Sequence, residues 1–281
     1  MKIGIVTDST ADLSQEIVDQ YEIEVIPLQV SIDHQTYRDG IDLTATQFYQ
    51  KLESTTGHPT TSQPSPGLFV ECYQRLLKKV DAIISIHLTE KLSGTVRTAE
   101  IARQMLPDAE IQVIDSHSTT LGLGSIVIEA ARAAQKGIRF EHLTELIKNV
   151  RERVHFLVIL DTLEFLQRGG RASKLQSFFS SILQIKPLIQ LFRGEIQLVA
   201  KVRSRQQSIQ LLFEEFIAKV PLDTHSIIAI VHAAAEKEAL KLKVRIEERF
   251  HNAEVIIHQA GPVLGAHVGP GALALIHVPQ L

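Results

Sequence analysis

"KIGIVTDSTADLSQEIVDQYEIEVIPLQV", Lys2 to Val30, decides how the chain is to be read. It opens on a short apolar, β-branched run of the kind that forms a strand buried on both faces. "LSQEIVDQY" then shows helical spacing, and "EIEVIPLQV" at 22–30 returns to strand character. Outward from there the alternation recurs. Candidate strands fall at 82–88, 110–115, 154–160, 226–233 and 254–258, with helical stretches at 93–105, 124–136 and 236–250. Strand and helix in turn predict an α/β fold with largely parallel sheets whose faces are covered by helices. Near Leu160 the texture changes. "FLQRGGRASK" gathers glycine and positive charge, and "KPLIQLFRGEIQLVAKV" at 186–202 predicts an antiparallel hairpin about a tight turn. Two α/β domains are expected, 1–160 and 161–281, packed without a low-complexity linker around a cleft between them.

Composition removes several function classes. A net charge of −3 with no polybasic run argues against nucleic acid or a membrane surface as partner. Cys72 is the only cysteine, so no intramolecular disulfide can form and a reducing, cytoplasmic setting is expected. Behind Met1 the apolar run breaks at Asp8, too short for a signal-peptide core, and no segment approaches the length of a membrane span. Gly122 and Gly124 lack the third glycine of a dinucleotide fingerprint, and no phosphate-binding Gly-rich loop or Gly-x-Ser-x-Gly is present. The twelve histidines are scattered without metal-ligand spacing. Neither cofactor nor metal is expected.

What remains is a set of hydroxyl-rich and glycine-rich loops. "PTTSQPSPGLF" at 59–69 brings Thr60, Thr61, Ser62 and Ser65 together among prolines. "LSGT" at 92–95 places Ser93, Gly94 and Thr95 where a helix begins, and unpaired N–H groups there favour carboxylate or phosphate oxygens. Gly94 would admit a ligand close to the backbone, while Ser93 also fits a plain N-cap. Asp8-Ser9-Thr10 and Asp115-Ser116 with Ser118 end strands in the same way, and helix capping competes with ligand binding at both. "QRGGRAS" offers Arg168 and Arg171 as forks for an oxyanion. "GPVLGAHVGPGA" sets His267 among four glycines; surface turns are the competing explanation for each.

Taken in order, "TDSTADL" (7–13), "YRDGIDL" (37–43), "TSQPSPGLF" (61–69), "LSGT" (92–95), "IDS" (114–116), "RGGR" (168–171), "IKP" (185–187) and "GPVLGAHVGPGA" (261–272) resemble the DegV family of bacterial fatty-acid-binding proteins across nearly the whole chain. The resemblance implies two α/β domains enclosing a long-chain fatty acid. Its carboxylate would be held by Thr61 and Ser93, with Ser62, Gly94 and Thr95 around it and Arg171 and His267 in a supporting network. It further implies a binding subunit that breaks no bond itself. A separate fatty acid kinase would phosphorylate the presented carboxylate, and acyltransferases would use the acyl phosphate for phospholipid synthesis. Arg203 matches a position for partner docking, and Arg168, Lys174 and Arg205 add positive charge. Phe178 and Phe179 are candidates to line the tail. Two alternatives stand beside it. One is a hydrolase with Ser93 as nucleophile, His267 as base and Asp8 or Asp115 as orienter; the other is a lipid-sensing regulator.

Overall fold

The computed structural model describes residues 1–172, 185–222 and 226–279. Its first elements are β1 (Ile3–Asp8), α1 (Gln15–Gln20), β2 (Glu24–Ile26), β3 (Gln29–Ile32), β4 (Gln35–Arg38), α2 (Ala45–Ser54) and β5 (Thr60–Ser62). They are followed by α3 (Pro66–Leu76), β6 (Ala82–His87), α4 (Thr95–Gln104), β7 (Ile111–Asp115), α5 (Thr120–Gln135) and α6 (Phe140–Arg151). β1 and β6 are buried along their whole length, as their mostly apolar runs lead one to expect. They are the middle strands of a four-stranded sheet ordered β2-β1-β6-β7, and every pairing in it is parallel. The carboxyl ends of β1, β6 and β7 therefore share one edge, where an open α/β sheet places its ligand loops.

The strand expected at 22–30 is two strands in different sheets. Pro27 offers no N–H to a ladder, so the chain leaves the parallel sheet after Ile26. It resumes as β3, the centre of a small antiparallel sheet ordered β4-β3-β5.

The remaining elements are β8 (His155–Ile159), α7 (Glu164–Arg168), β9 (Lys186–Phe192), β10 (Glu195–Val202), α8 (Arg205–Lys219), β11 (Ser226–His232), α9 (Glu236–Glu247), β12 (Glu254–Gln259), α10 (Pro262–Val268) and β13 (Leu273–Pro279). Their strands form a six-stranded sheet ordered β10-β9-β8-β13-β11-β12. The expected hairpin is present, turning at Arg193 and Gly194, both at positive φ as a tight two-residue turn demands. The α/β class stands, but this sheet is not largely parallel: only β11 and β12 run together. β13 returns from the end of the chain and inserts antiparallel between β8 and β11. The boundary expected at 160/161 also falls inside this sheet, because β8 pairs with β13 and β9. The passage from one sheet to the other lies between Asp115 and His155, and the Gly- and Arg-rich stretch that suggested a boundary begins in α7 and turns at Gly169 and Gly170 after it.

α5 joins the two sheets. It packs on β1 and β6 on one side and on β11 and β13 on the other, and every residue from Thr120 to Ala131 is buried. A helix apolar all round needs such a site. It starts four residues earlier than expected, and a side chain at Gly124 would strike the Ala11 carbonyl, so that glycine serves close packing. One continuous core thus runs from Ile3 and Ile84 through Ile126 to Ala274 and Val278. A second core lies on the far face of the six-stranded sheet, where Leu157, Ile159 and Leu188 meet Leu212 and Phe216 of α8. Among the described residues no helix is long and apolar enough to cross a membrane.

Candidate functional site

Between the sheets lies a cavity of about 310 Å³. Strand alternation builds its floor: Leu157 and Ile159 point to the second core, so Phe156 and Val158 face the cavity. The register continues that face across the sheet. Leu191 lies opposite Phe156, Ile189 opposite Val158, and Ala274 links Val158 to Val231. Leu28, Leu88 and Leu92 from the first half and Leu264 and Val268 of α10 complete an apolar chamber.

The rim is polar. Pairing of β5 with β3 sets Thr61 opposite the buried Val30 and holds its side chain at the cavity. Leu264, His267 and Val268 share one face of α10 by their spacing, which brings the imidazole to the same rim. His267 Nε2 lies 2.8 Å from Thr61 Oγ1. Burial, then the neighbouring Arg171 and His58, holds the His267 pKa down to about 3, so the ring is neutral at pH 7. Its Nδ1 has no partner and lies against Gly169, where any side chain would overlap the ring. An unpaired buried N–H is costlier than an unpaired acceptor, which places the proton on Nε2. Nε2–H then donates to Thr61, and the Thr61 hydroxyl is free to donate onward into the rim.

Arg171 follows α7 through the glycine pair. Its Nε donates to Leu92 O at 3.0 Å and its Nη1 to Gly169 O at 2.6 Å. Burial lowers its pKa, though a guanidinium stays charged. Among the described residues no carboxylate pairs with it. Other arginines are neutralised: Arg168 by Glu164, and Arg205 by Asp161 and Glu238. A half-buried guanidinium without a carboxylate beside it carries an uncompensated desolvation cost, which an anion at the mouth of the chamber would offset.

Thr61, Ser62, Ser93, Arg171 and His267 thus line one cavity. Ser93 does not cap the helix: Gly94 is the N-cap of α4, with no side-chain cap bond, and Ser93 Oγ lies 2.9 Å from Thr95 Oγ1. Thr95 is fully buried and sits behind Ser93 rather than on the cavity wall. Gly94 is also off the wall, because the Gln63 carboxamide covers it. Arg203 is exposed in the turn before α8 and does not line the cavity. Lys174, Phe178 and Phe179 lie outside the described residues. Gln63 and the strand residues of the floor were missed; only the alternation, once a register is known, could have found the latter.

The expected hydrolase arrangement is not assembled. His267 Nε2 faces Thr61, its Nδ1 has no orienting carboxylate, and Ser93 pairs with Thr95. Asp115 accepts from the N–H groups of Glu90 and His117. Asp8 accepts from the Thr10 N–H and hydroxyl, the Leu88 N–H and His87 Nδ1. His87 Nε2 in turn lies 2.7 Å from Ser85 Oγ, to which Tyr73 donates at 2.8 Å. That serine–histidine–aspartate chain is sealed, with Asp8, Ser85 and His87 at 0% exposure, and it fastens the loop ends of β1 and β6. The "TDST" motif is structural here.

Fold and cavity define an α/β protein of two large sheets and a small third one, with an apolar chamber and a cationic, hydroxyl-lined mouth. Comparison with known proteins places it further. The chain belongs to the DegV family, whose profile, described as "Uncharacterised protein, DegV family", matches residues 2–280. It is 34% identical over 276 residues to Protein DegV of Bacillus subtilis, covering 98% of each chain. A DegV domain-containing protein of Caldanaerobacter subterraneus is 35% identical over 272 residues, 96% of each. The solved structure of Bacillus subtilis DegV, described as a fatty acid binding protein, superposes with a TM-score of 0.93 at 33% identity and covers all of both chains. A DegV family protein from Thermus thermophilus, described by its fatty acid binding, gives 0.93 at 30% identity over 99% of this chain and 100% of that one.

Proposed function

We propose that this chain is a carrier for a long-chain fatty acid. The acyl tail fills the chamber; Thr61, Ser93 and Arg171 hold the carboxylate, with His267 orienting Thr61 and Ser62 at the rim. Gly94 and Thr95 support Ser93 from behind. The observation that carries this reading is Arg171, a half-buried guanidinium without a carboxylate partner among the described residues, standing over an apolar cavity. Burial of each methylene contributes about 0.8 kcal/mol, so a sixteen-carbon tail supplies on the order of 10 kcal/mol before the costs of association. Charge-assisted hydrogen bonds at about 1.5–3 kcal/mol each offset desolvation of the head. The fatty acid binding described for the Bacillus subtilis and Thermus thermophilus relatives supports the same ligand class.

The chain itself breaks no bond in this reading. It presents the carboxylate to a separate cytoplasmic kinase, with Arg203 at the docking surface, and holds the acyl phosphate for acyltransferases. Native mass spectrometry of freshly purified protein should show one long-chain acid lost on denaturation. An empty preparation that takes up no palmitate overturns the carrier reading. The kinase step is tested by adding ATP and a fatty acid kinase catalytic subunit to the palmitate-loaded chain and trapping acyl phosphate with hydroxylamine. No hydroxamate above the palmitate-free control overturns that step alone.

A further inference from the structure

Gly94, which lies off the cavity wall, owes its missing side chain to a neighbour. A Cβ there would lie 2.8 Å from both Cδ and Nε2 of Gln63 and closer still to Oε1. Its φ of −77° is one any residue adopts, so the requirement is space and not backbone conformation. The Gln63 carboxamide lies over Gly94 and donates from Nε2 to Thr98 Oγ1 at 2.7 Å. Thr98 is 2% exposed and donates in turn to Gly94 O at 3.1 Å. Gln63 comes two residues after Thr61, and Gly94 one residue after Ser93.

We infer that Gln63 is the positioning residue of the head-group grip: its carboxamide bolts the end of β5 to the first turn of α4 and so sets the spacing between Thr61 and Ser93. This rests on the carrier reading and deepens it. Pro64, buried directly after Gln63, stiffens the strut on the β5 side, and the Thr98 bond anchors it on the α4 side. Two hydroxyls held at fixed spacing grip a planar carboxylate through both oxygens, whereas an alcohol offers one oxygen and tolerates a looser gap. Gln63 therefore governs preference for the acid head without supplying the tail's affinity.

The test uses delipidated full-length chain, with palmitate and 1-hexadecanol as probes. Wild type should prefer palmitate. Gln63→Ala should weaken palmitate by about 5–10-fold, the scale of one hydrogen bond, and hexadecanol by at least threefold less. Thr98→Val removes the same bond from the other side and should match it. Gly94→Ala displaces the carboxamide and should match it too, while Gln63→Ala/Gly94→Ala should be no worse than Gln63→Ala alone. Thermal unfolding separates a grip that has loosened from a chain that has not folded. Losses that multiply in the double variant, or equal losses for acid and alcohol, overturn the role of Gln63. So does palmitate binding unchanged in Gln63→Ala and Thr98→Val. A wild type that binds no palmitate overturns the carrier reading instead, and this inference with it.

Discussion

Thr61 Oγ1 and His267 Nε2 meet at 2.8 Å across 206 residues of sequence, tying β5 of the small sheet to α10 near the end of the chain. The neutral imidazole fixes which way the threonine hydroxyl points. Thr61→Val removes that hydroxyl at nearly constant volume, so palmitate retention should fall by about tenfold, on the order of 1.4 kcal/mol, and the His267 N–H left without its acceptor should lower the melting temperature by a few degrees. Fluorescent fatty-acid displacement measures it.

The same histidine shapes the acid limb of stability. Its pKa is lowered from 6.5 to about 3, so the neutral ring is favoured in the folded state. The resulting stability is complete above the unfolded value and is lost as pH falls from 6.5 toward 3. His267→Gln should therefore be spared roughly 2 kcal/mol of the loss that wild type suffers between pH 7 and pH 5. Urea unfolding at both pH values reads the difference; parallel losses would contradict it.

Asp39 works with the opposite sign. Burial raises its carboxyl to about 6, with the charge of Asp8 adding, against accepted bonds from Ser9 and the Val263 N–H. A raised acid lends its stability below the unfolded value of 3.8 and loses it as pH rises through 6. Asp39→Asn should consequently be more stable relative to wild type at pH 7.5 than at pH 4, by roughly 2.5 kcal/mol. An offset that does not change with pH would count against the burial cost.

Arg171→Gln removes the charge at the mouth. Palmitate affinity should drop by about 10–100-fold, matching a charge-assisted hydrogen bond, while 1-hexadecanol binding changes little. Isothermal titration with both ligands decides it.

Ala274 sits on the cavity floor between Val158 and Val231. Ala274→Leu fills part of the chamber, so an eighteen-carbon acid should lose at least about 1 kcal/mol more than a twelve-carbon acid. Equal losses for the two chain lengths would place the tail elsewhere.

The parallel first sheet was legible because β1, β6 and β7 are short, mostly apolar runs alternating with helical stretches, and the hairpin at 186–202 because Arg-Gly between two strand patterns admits little else. The second sheet was not, since strand direction there depends on β13 inserting between β11 and β8, the latter paired with it across more than a hundred positions. Pro27 was visible, yet its effect, sending two halves of one apolar run to different sheets, is set by what each half meets. At the mouth, residue types marked hydroxyl-rich loops, Arg171 and His267 as candidates, and the resemblance to the DegV family singled out Thr61 and Ser93. Gly94 was read as an opening for ligand because a sequence cannot show that Gln63 already fills that space. The floor stayed hidden for a similar reason: Phe156 and Leu157 are equally apolar, and only register decides which of them faces the cavity.

With α5 serving as a spine common to both large sheets, swinging the halves apart like a clamshell would bare a buried helix to water along its length. For the carrier proposed above, exchange is then left to small, local yielding at the rim, and loading should be set by how firmly a few rim residues are stitched together.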